Sequence, residues 1–251
     1  MNKDTTVCII ASHAPHQEYY CFKEFVKSLE GENVVCLGWG TGEYRNLSDR
    51  PRMFYNAIKV GHIKTKNLIL SDCWDMVFID SPEAIFEKHK SLGADVTFSA
   101  EKNCFPQELR EEFDKIAPTD TAYKYLNCGT VVGETEAILA VLEDMDAPNT
   151  PLDYWMEDEQ RMFHYNEQGW YMESFFRQPV KMTLDYYQNL AWCMQDVSME
   201  DVVFFGGGNE EVKINKIKNK KTGTSPSIVH WNGSSKTDGT MQPILKHLNL
   251  I

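Results

Sequence analysis

No stretch of this 251-residue chain approaches the roughly 18 consecutive apolar residues that a membrane-spanning helix needs, so none is expected to cross a bilayer. The N-terminus, MNKDTTVCIIASHAPH, has an apolar run too short for the core of a secretory leader, and an Asp precedes it. A soluble, cytoplasmic protein is the expectation, in the host cytoplasm if the chain is viral. Basic residues are scarce: 25 Lys and Arg stand against 37 Asp and Glu, a formal net charge of −12. That balance is not the profile of a non-specific nucleic-acid binder. One local exception is EVKINKIKNKK, holding Lys213, Lys216, Lys218, Lys220 and Lys221. It reads first as a solvated edge strand or loop and second as a patch for an anionic acceptor. The seven cysteines are odd in number and none is spaced CxxC. Those in VCII and VVCLG sit inside apolar runs, so reduced, buried thiols are expected rather than disulfides or a zinc site. Internal repeats and a convincing linker are also missing, which leaves one domain over residues 1–251.

What is present is a hydrophobic content of 42%, enough for one sizeable core. Strand-like and helix-like segments alternate through the first half. TVCIIASH, ENVVCLGWG, NLILSD and ADVTFSA read as strands; EYYCFKEFVKSL, RMFYNAIKVGHI and SPEAIFEKHKSL read as helices, the last with Pro82 at its start. This rhythm predicts an α/β fold with a mostly parallel open sheet covered by helices on both faces. Ligands of such sheets bind at the carboxyl ends of the strands. In the second half LNCGTVVG returns to the sheet, TEAILAVLEDM and DEQRMFHYNEQ read as helices, and VKMTLDY, EDVVFF and PSIVHWNG as strands. GGGN is expected to be a turn, and KNKKTGTSPS a mobile loop.

The chemistry concentrates in LILSDCWDMVFID. Asp72 ends an apolar strand and Asp75 follows three residues later. Carboxylates at a strand end are costly to desolvate and repel each other. A divalent cation between them removes the repulsion, and hard oxygen ligands suit Mn²⁺ or Mg²⁺. The spacing alone equally allows Asp72 to cap a turn and Asp75 to be an ordinary surface residue. At the other end of the chain, SIVHWNGSSK again ends an apolar strand in a candidate ligand, His230, with Gly233 and Lys236 placed to grip a diphosphate. A lone His of this kind is more often structural.

TKNLILSDCWDMVFIDSPEAIFEKHKSLGADVTFSAEKNCFP resembles the glycosyltransferase domain of the procollagen lysyl hydroxylases. So do LNCGTVVG, DEQRMFHY, LDYYQNLAWCM and IVHWNGSSK, in matching order over roughly residues 33–237. The resemblance implies a stand-alone GT-A domain of the kind expected in a virus or bacterium, with a Rossmann-like sheet. It implies Asp72, Asp75 and His230 as metal ligands. It places Trp74 near the uracil or ribose, and Asn232, Gly233 and Lys236 in a diphosphate-gripping turn. Glu101 and Phe105 match positions lining the sugar and acceptor pocket, where the family often has Trp in place of Phe105. Asn127 matches a sugar-pocket Asn. Asp158 and Glu159 match an acidic pair on the transferred sugar that is commonly Asp-Asp. Trp39 and Arg52, in LGWGTGEYRNLSDRPRM, match a nucleotide-binding loop more loosely.

The implied activity is transfer of a sugar from a UDP-sugar to an acceptor hydroxyl, dependent on Mn²⁺ (or Mg²⁺), with retention of anomeric configuration. An inverting path would need a base, for which Glu101, Asp158 or Glu159 are available. The implied acceptor is hydroxylysine or galactosyl-hydroxylysine of a collagen-like protein. A hydroxymethylated DNA base is the alternative acceptor, and a non-catalytic nucleotide-sugar binding module the alternative of another class. A metal-dependent phosphohydrolase would need a second acidic cluster, which the sequence lacks. No membrane partner is expected, and a homodimer is left open.

Overall fold

The computed structural model describes residues 3–11, 21–39, 49–149, 166–206 and 215–251. Its main sheet has six strands: β1 (Thr5–Ile10), β2 (Val34–Leu37), β3 (Asn67–Ser71), β5 (Val96–Glu101), β6 (Tyr125–Glu134) and β7 (Met182–Asp185), in the order β2-β1-β3-β6-β5-β7. β1 pairs in parallel with β2 and β3, and β5 with β7, while β6 is antiparallel to both β3 and β5. The sheet is therefore mostly parallel, as expected, with one reversed strand near its centre. That reversal matters for the site. It brings the beginning of β6 to the same edge as the ends of β3 and β5.

Successive side chains of the central strands serve opposite faces, as the two-residue period of a strand requires. Leu68 and Leu70 pack on one side with Phe54 of α2 (Asp49–Lys59), Ile138 of α5 (Thr135–Asp144) and Tyr171 of α6 (Glu167–Arg177). Ile69 packs on the other with Phe25 of α1 (Phe22–Ser28) and Ile85 of α3 (Pro82–Ser91). Helices thus cover both faces. α3 starts where the sequence says it should: Ser81 Oγ accepts a hydrogen bond from the Ala84 amide at 3.3 Å, and Pro82 occupies the first turn. α6 is capped likewise by Asn166, whose Oδ1 accepts from the Gln168 amide at 2.9 Å. The helix expected over DEQRMFHYNEQ falls mostly outside the described residues, which resume just before α6. The turn expected at GGGN also lies outside them, apart from Gly206.

Two further features were not foreseen in the sequence and a third departs from expectation. The apolar run after Asp75 does not prolong β3. It forms β4 (Met76–Phe78) in a second sheet with β11 (Ile228–His230) and β8 (Ala191–Cys193), in the order β4-β11-β8. The short helix α4 (Arg110–Ile116) and β8 have too few residues to show a period. KNKKTGTSPS is a hydrogen-bonded turn rather than a mobile loop: Asn219 is buried and its Oδ1 accepts from the amides of Lys221 and Thr222 at 3.0 and 3.4 Å. The lysine run supplies β10 (Lys216–Asn219), paired with β9 (Val202–Phe205). Lys216 bridges to Asp80 at 2.8 Å and Lys221 to Asp201 at 2.7 Å, and Lys213 lies outside the described residues. The chain closes in α7 (Met241–His247). All seven cysteines are free; six are buried and Cys36, on edge strand β2, is exposed. No helix among the described residues is long and apolar enough to cross a membrane.

Candidate active site

Pairing between β4 and β11 closes the long sequence gap between the acidic pair and the histidine. Met76, the residue after Asp75, lies opposite His230, and the Trp231 amide donates to the Asp75 carbonyl at 2.7 Å. Asp72 is delivered by the end of β3, and its amide donates to the Gly129 carbonyl at 2.9 Å. His230 Nε2 then lies 3.4 Å from Asp72 Oδ2 and 3.6 Å from Asp75 Oδ1. One ligand atom from each of Asp72, Asp75 and His230 falls within 4.8 Å of the others.

A bulge completes the floor. β5 and β6 pair as Phe98↔Val131 and then jump to Ser99↔Asn127, so Cys128, Gly129 and Thr130 have no partner on β5. Bulges bend a strand and re-aim its residues. Here the bend carries Gly129 under the histidine. A Cβ at Gly129 would overlap His230 Cε1 and fall 2.8 Å from Asp72 Oδ2.

The electrostatics fit a cation. Burial pushes the Asp75 carboxyl up, but His230 and the Lys236 ammonium, 2.8 Å from Oδ2, outweigh it and hold the group down at about 2. Burial pushes the His230 ring down, yet Asp75 and Asp72 raise it above its ordinary value. His230 Nδ1 is buried without a hydrogen-bond partner among the described residues. Two carboxylates and an imidazole converging on one point form a donor set suited to Mn²⁺ or Mg²⁺, with the imidazole favouring the softer Mn²⁺.

Around this centre is a cleft of about 200 Å³. Phe105, Asn127, Asn232, Gly233 and Lys236 line it together with the acidic pair and His230. Gly233 adopts a φ of +58° at the start of a 3₁₀ turn, and a Cβ there would overlap Gln195 Oε1. Glu101 lies beneath. It is 5% exposed, and both its oxygens are occupied. Oε1 accepts from Asn127 Nδ2 at 3.0 Å and Gln168 Nε2 at 3.2 Å, and Oε2 from Asn232 Nδ2 at 2.8 Å. Burial pushes this carboxyl up to about 7 against the pull of those three amides.

The remaining expected residues stand apart or outside. Trp39 is 64% exposed and stacks on Phe22 at 5.8 Å between centroids, and Trp74 meets the same ring at 4.5 Å. The two tryptophans are thereby joined through Phe22 of α1, and neither is among the described residues lining the cleft. Arg52 is half-buried on α2 and is not among the described residues lining the cleft. Asp158 and Glu159 lie outside the described residues. Residues lining the cleft that sequence reasoning did not single out are Arg50, Cys128, Gly129, Asn166, Glu167 and Gln168. Gln168 holds the floor: its Oε1 accepts from the Cys128 amide at 3.1 Å, and its Nε2 also donates to the Phe105 carbonyl.

Compared with known families, the model of the PLOD GT domain matches residues 9–242. The chain belongs to the PLOD GT domain family. This PLOD GT domain is 27% identical to procollagen-lysine,2-oxoglutarate 5-dioxygenase of Drosophila melanogaster over 176 residues, covering 68% of this chain and 22% of that protein. It is 23% identical to the human multifunctional procollagen lysine hydroxylase and glycosyltransferase LH3 over 251 residues, covering 94% of this chain and 31% of that protein. It is 29% identical to protein R699 of Acanthamoeba polyphaga mimivirus over 174 residues, covering 68% and 32%. The chain therefore spans less than a third of each of these relatives' length. Among solved structures it resembles a glycosyltransferase involved in the glycosylation of the major capsid of PBCV-1, at 15% identity and a TM-score of 0.47, with 92% of this chain and 96% of that chain covered.

Proposed function

We propose that this PLOD GT domain transfers a hexose or pentose from a UDP-sugar to an acceptor hydroxyl, using Mn²⁺ held by Asp72, Asp75 and His230. The observation that carries the reading is the convergence of those three side chains beside Lys236 and the Gly233 turn. A divalent cation bound there supplies Lewis-acid neutralisation of the charge that develops on the departing diphosphate. Lys236 adds a positive charge on the Asp75 side of the cleft, and the backbone at Gly233 can approach phosphate oxygens closely. Asn127 has one amide hydrogen committed to Glu101 and faces the cleft, where it can orient a sugar hydroxyl. Asp158 and Glu159 complete the sugar pocket in this reading, and Trp39, Arg52 and Trp74 take the nucleoside end.

Glu101 bears on the stereochemistry. Both its oxygens are occupied by amide donors, so it is poorly placed to take a proton from an acceptor. That leaves Asp158 and Glu159 as the candidate bases of an inverting path; on the retaining path favoured here the C1–phosphate bond breaks as the new glycosidic bond forms, and the acceptor's proton passes to the leaving phosphate oxygen. Hydroxylysine or galactosyl-hydroxylysine in a collagen-like peptide is the acceptor this reading favours, since the human relative's name pairs lysine hydroxylation with glycosyl transfer. In the lysine run Lys216 and Lys221 are engaged by Asp80 and Asp201 while Lys218 and Lys220 are exposed, so a DNA acceptor is kept as the second arm of the test.

The test is transfer of radiolabelled sugar from UDP-glucose and UDP-galactose to hydroxylysine-containing peptides and, in parallel, to hydroxymethylcytosine DNA. Transfer should require Mn²⁺, stop with EDTA, and fall at least about 100-fold in Asp75→Asn, the scale of removing one preorganised charge-stabilising group. Undiminished transfer in EDTA, or by Asp75→Asn, would refute the metal assignment.

A further inference from the structure

Arg50 and Glu167 are not in the ligand set, yet they reach it. Arg50 Nη2 lies 2.5 Å from Asp72 Oδ1, and Nη1 donates to Glu167 Oε1 at 2.7 Å. The ring of Phe54, one turn further along α2, sits with its centroid 5.9 Å from Arg50 Cζ. Arg50 is 8% exposed and Glu167 2%, so the pair is shielded from solvent screening. One partner comes from the first turn of α2 and the other from the first residue of α6.

Two physical requirements meet here. The carboxylate torsion of Asp is broad and weakly preferred, so an unanchored Asp72 would spread its oxygens over many orientations. A guanidinium on Oδ1 fixes the plane and leaves Oδ2, the oxygen 3.4 Å from His230 Nε2, facing the other two ligands. Losing a partner of this kind typically costs about 10–100-fold in metal affinity. An arginine is nevertheless a unit positive charge close to the cation it would help to bind, and in a low-dielectric pocket that repulsion is substantial. Glu167 removes it. Burial raises the Glu167 carboxyl to about 7 against the pull of Arg50, so above that pH its carboxylate meets the second arm of the same guanidinium and brings the pair's net charge to zero.

We propose that Arg50 and Glu167 form a charge-neutral positioning pair that turns Asp72 Oδ2 toward the cation site without adding positive charge there. The inference rests on the metal reading above. A pair that merely tied α2 to α6 would move stability and leave metal affinity alone. A fork is required because one nitrogen serves each carboxylate, which lysine cannot reproduce.

The test is direct Mn²⁺ binding, read by electron paramagnetic resonance of the free ion, on the full chain and its variants, with circular-dichroism melting as the folding control. Glu167→Gln keeps an acceptor for Nη1 but uncovers the arginine's charge, and its Kd for Mn²⁺ should rise roughly 3–10-fold. The double variant Arg50→Gln/Glu167→Gln keeps the pair neutral but loses the anchor, and its Kd should rise by about 10-fold or more. Arg50→Lys, which preserves charge and loses the fork, should weaken binding similarly and serves if the double variant does not fold. Binding within twofold of wild type by the double variant or by Arg50→Lys overturns the positioning role, and unchanged or tighter binding by Glu167→Gln overturns the charge cancellation. A wild-type chain that fails to bind Mn²⁺ overturns the metal reading itself, and the pair's role with it.

Discussion

Gly129 has no room for a side chain, and the reason is chemical rather than conformational. The bulge in β6 presses its backbone against the His230 ring and Asp72 Oδ2, so a methyl group there must displace a ligand. His230 is 2% exposed and held in register with Met76 and Cys193, which leaves it nowhere to go. Gly129→Ala should therefore abolish the Mn²⁺-induced rise in melting temperature while costing about 1–3 kcal/mol of stability in metal-free protein, the usual range for overpacking. An alanine variant that still binds Mn²⁺ with wild-type affinity would show that the ring does not lie where it is placed here. A glycine inside a strand is a legible sign of a bulge or close backbone approach, so LNCG held this information. Asp72, Asp75 and His230 were readable because each adjoins an apolar run that should not tolerate it. Arg50, Glu167 and Gln168 were not, since charged and amide side chains line the solvent side of most helices and nothing local marks these three as buried. Glu101 was noticed for its place at a strand end, but not its use. Three amide donors converge on it, and only a carboxylate offers acceptors at both oxygens.

At the level of elements, α3 shows how one buried group couples a helix to the sheet. His89 is 3% exposed, its Nδ1 pairs with Thr97 Oγ1 of β5 at 2.8 Å, and its ring packs on Phe86. Burial drives its pKa down to about 4, with Asp95 and Glu134 only partly offsetting that. The folded chain therefore holds His89 neutral where the unfolded chain, near 6.5, takes up a proton. The stability this contributes is present above pH 6.5 and is lost as pH falls from 6.5 toward 4, by roughly 2–3 kcal/mol. Urea denaturation at pH 7 and pH 4.5 should show that loss in wild type and a smaller one in His89→Gln, which keeps a partner for Thr97 but cannot titrate. Equal losses in both proteins would remove His89 from the account of acid sensitivity. The same scale explains which elements were readable. Strands of five or six residues and helices of ten declare their period, so β1, β3, β5, α3 and α5 were expected where they occur. β4 and β8 have three residues each, too few to reveal a period, whereas β11, equally short, was legible as the apolar run of PSIVHWNG. The departure of β4 from the main sheet is set by its antiparallel partner β11, far away in the chain, and local sequence carries no trace of that pairing.

For the molecule as a whole, the site is a joint between two sheets. Asp72 directly follows β3 and Gly129 lies in β6 of the six-stranded sheet, His230 belongs to the three-stranded one, and Asp75 leads from the first into the second. The Arg50–Glu167 pair adds α2 and α6 from one face of the large sheet. A ligand gripped by all of these is available only to the folded chain, because nothing in an unfolded chain brings such distant residues together. Binding should thus stabilise the domain globally by mass action, by about 2.7 kcal/mol for each of Mn²⁺ and UDP present at 100 times its Kd. Urea denaturation with and without both ligands measures this, and EDTA should return the curve to that of the free protein. A thermal-shift panel of UDP-sugars then ranks donors by the same linkage. Amide exchange supplies the discriminating detail. If the site joins the sheets, the end of β3, the bulge in β6 and β11 should gain protection together, whereas protection confined to one sheet would mean that the ligand is held by that sheet alone and that the joint has been misassigned.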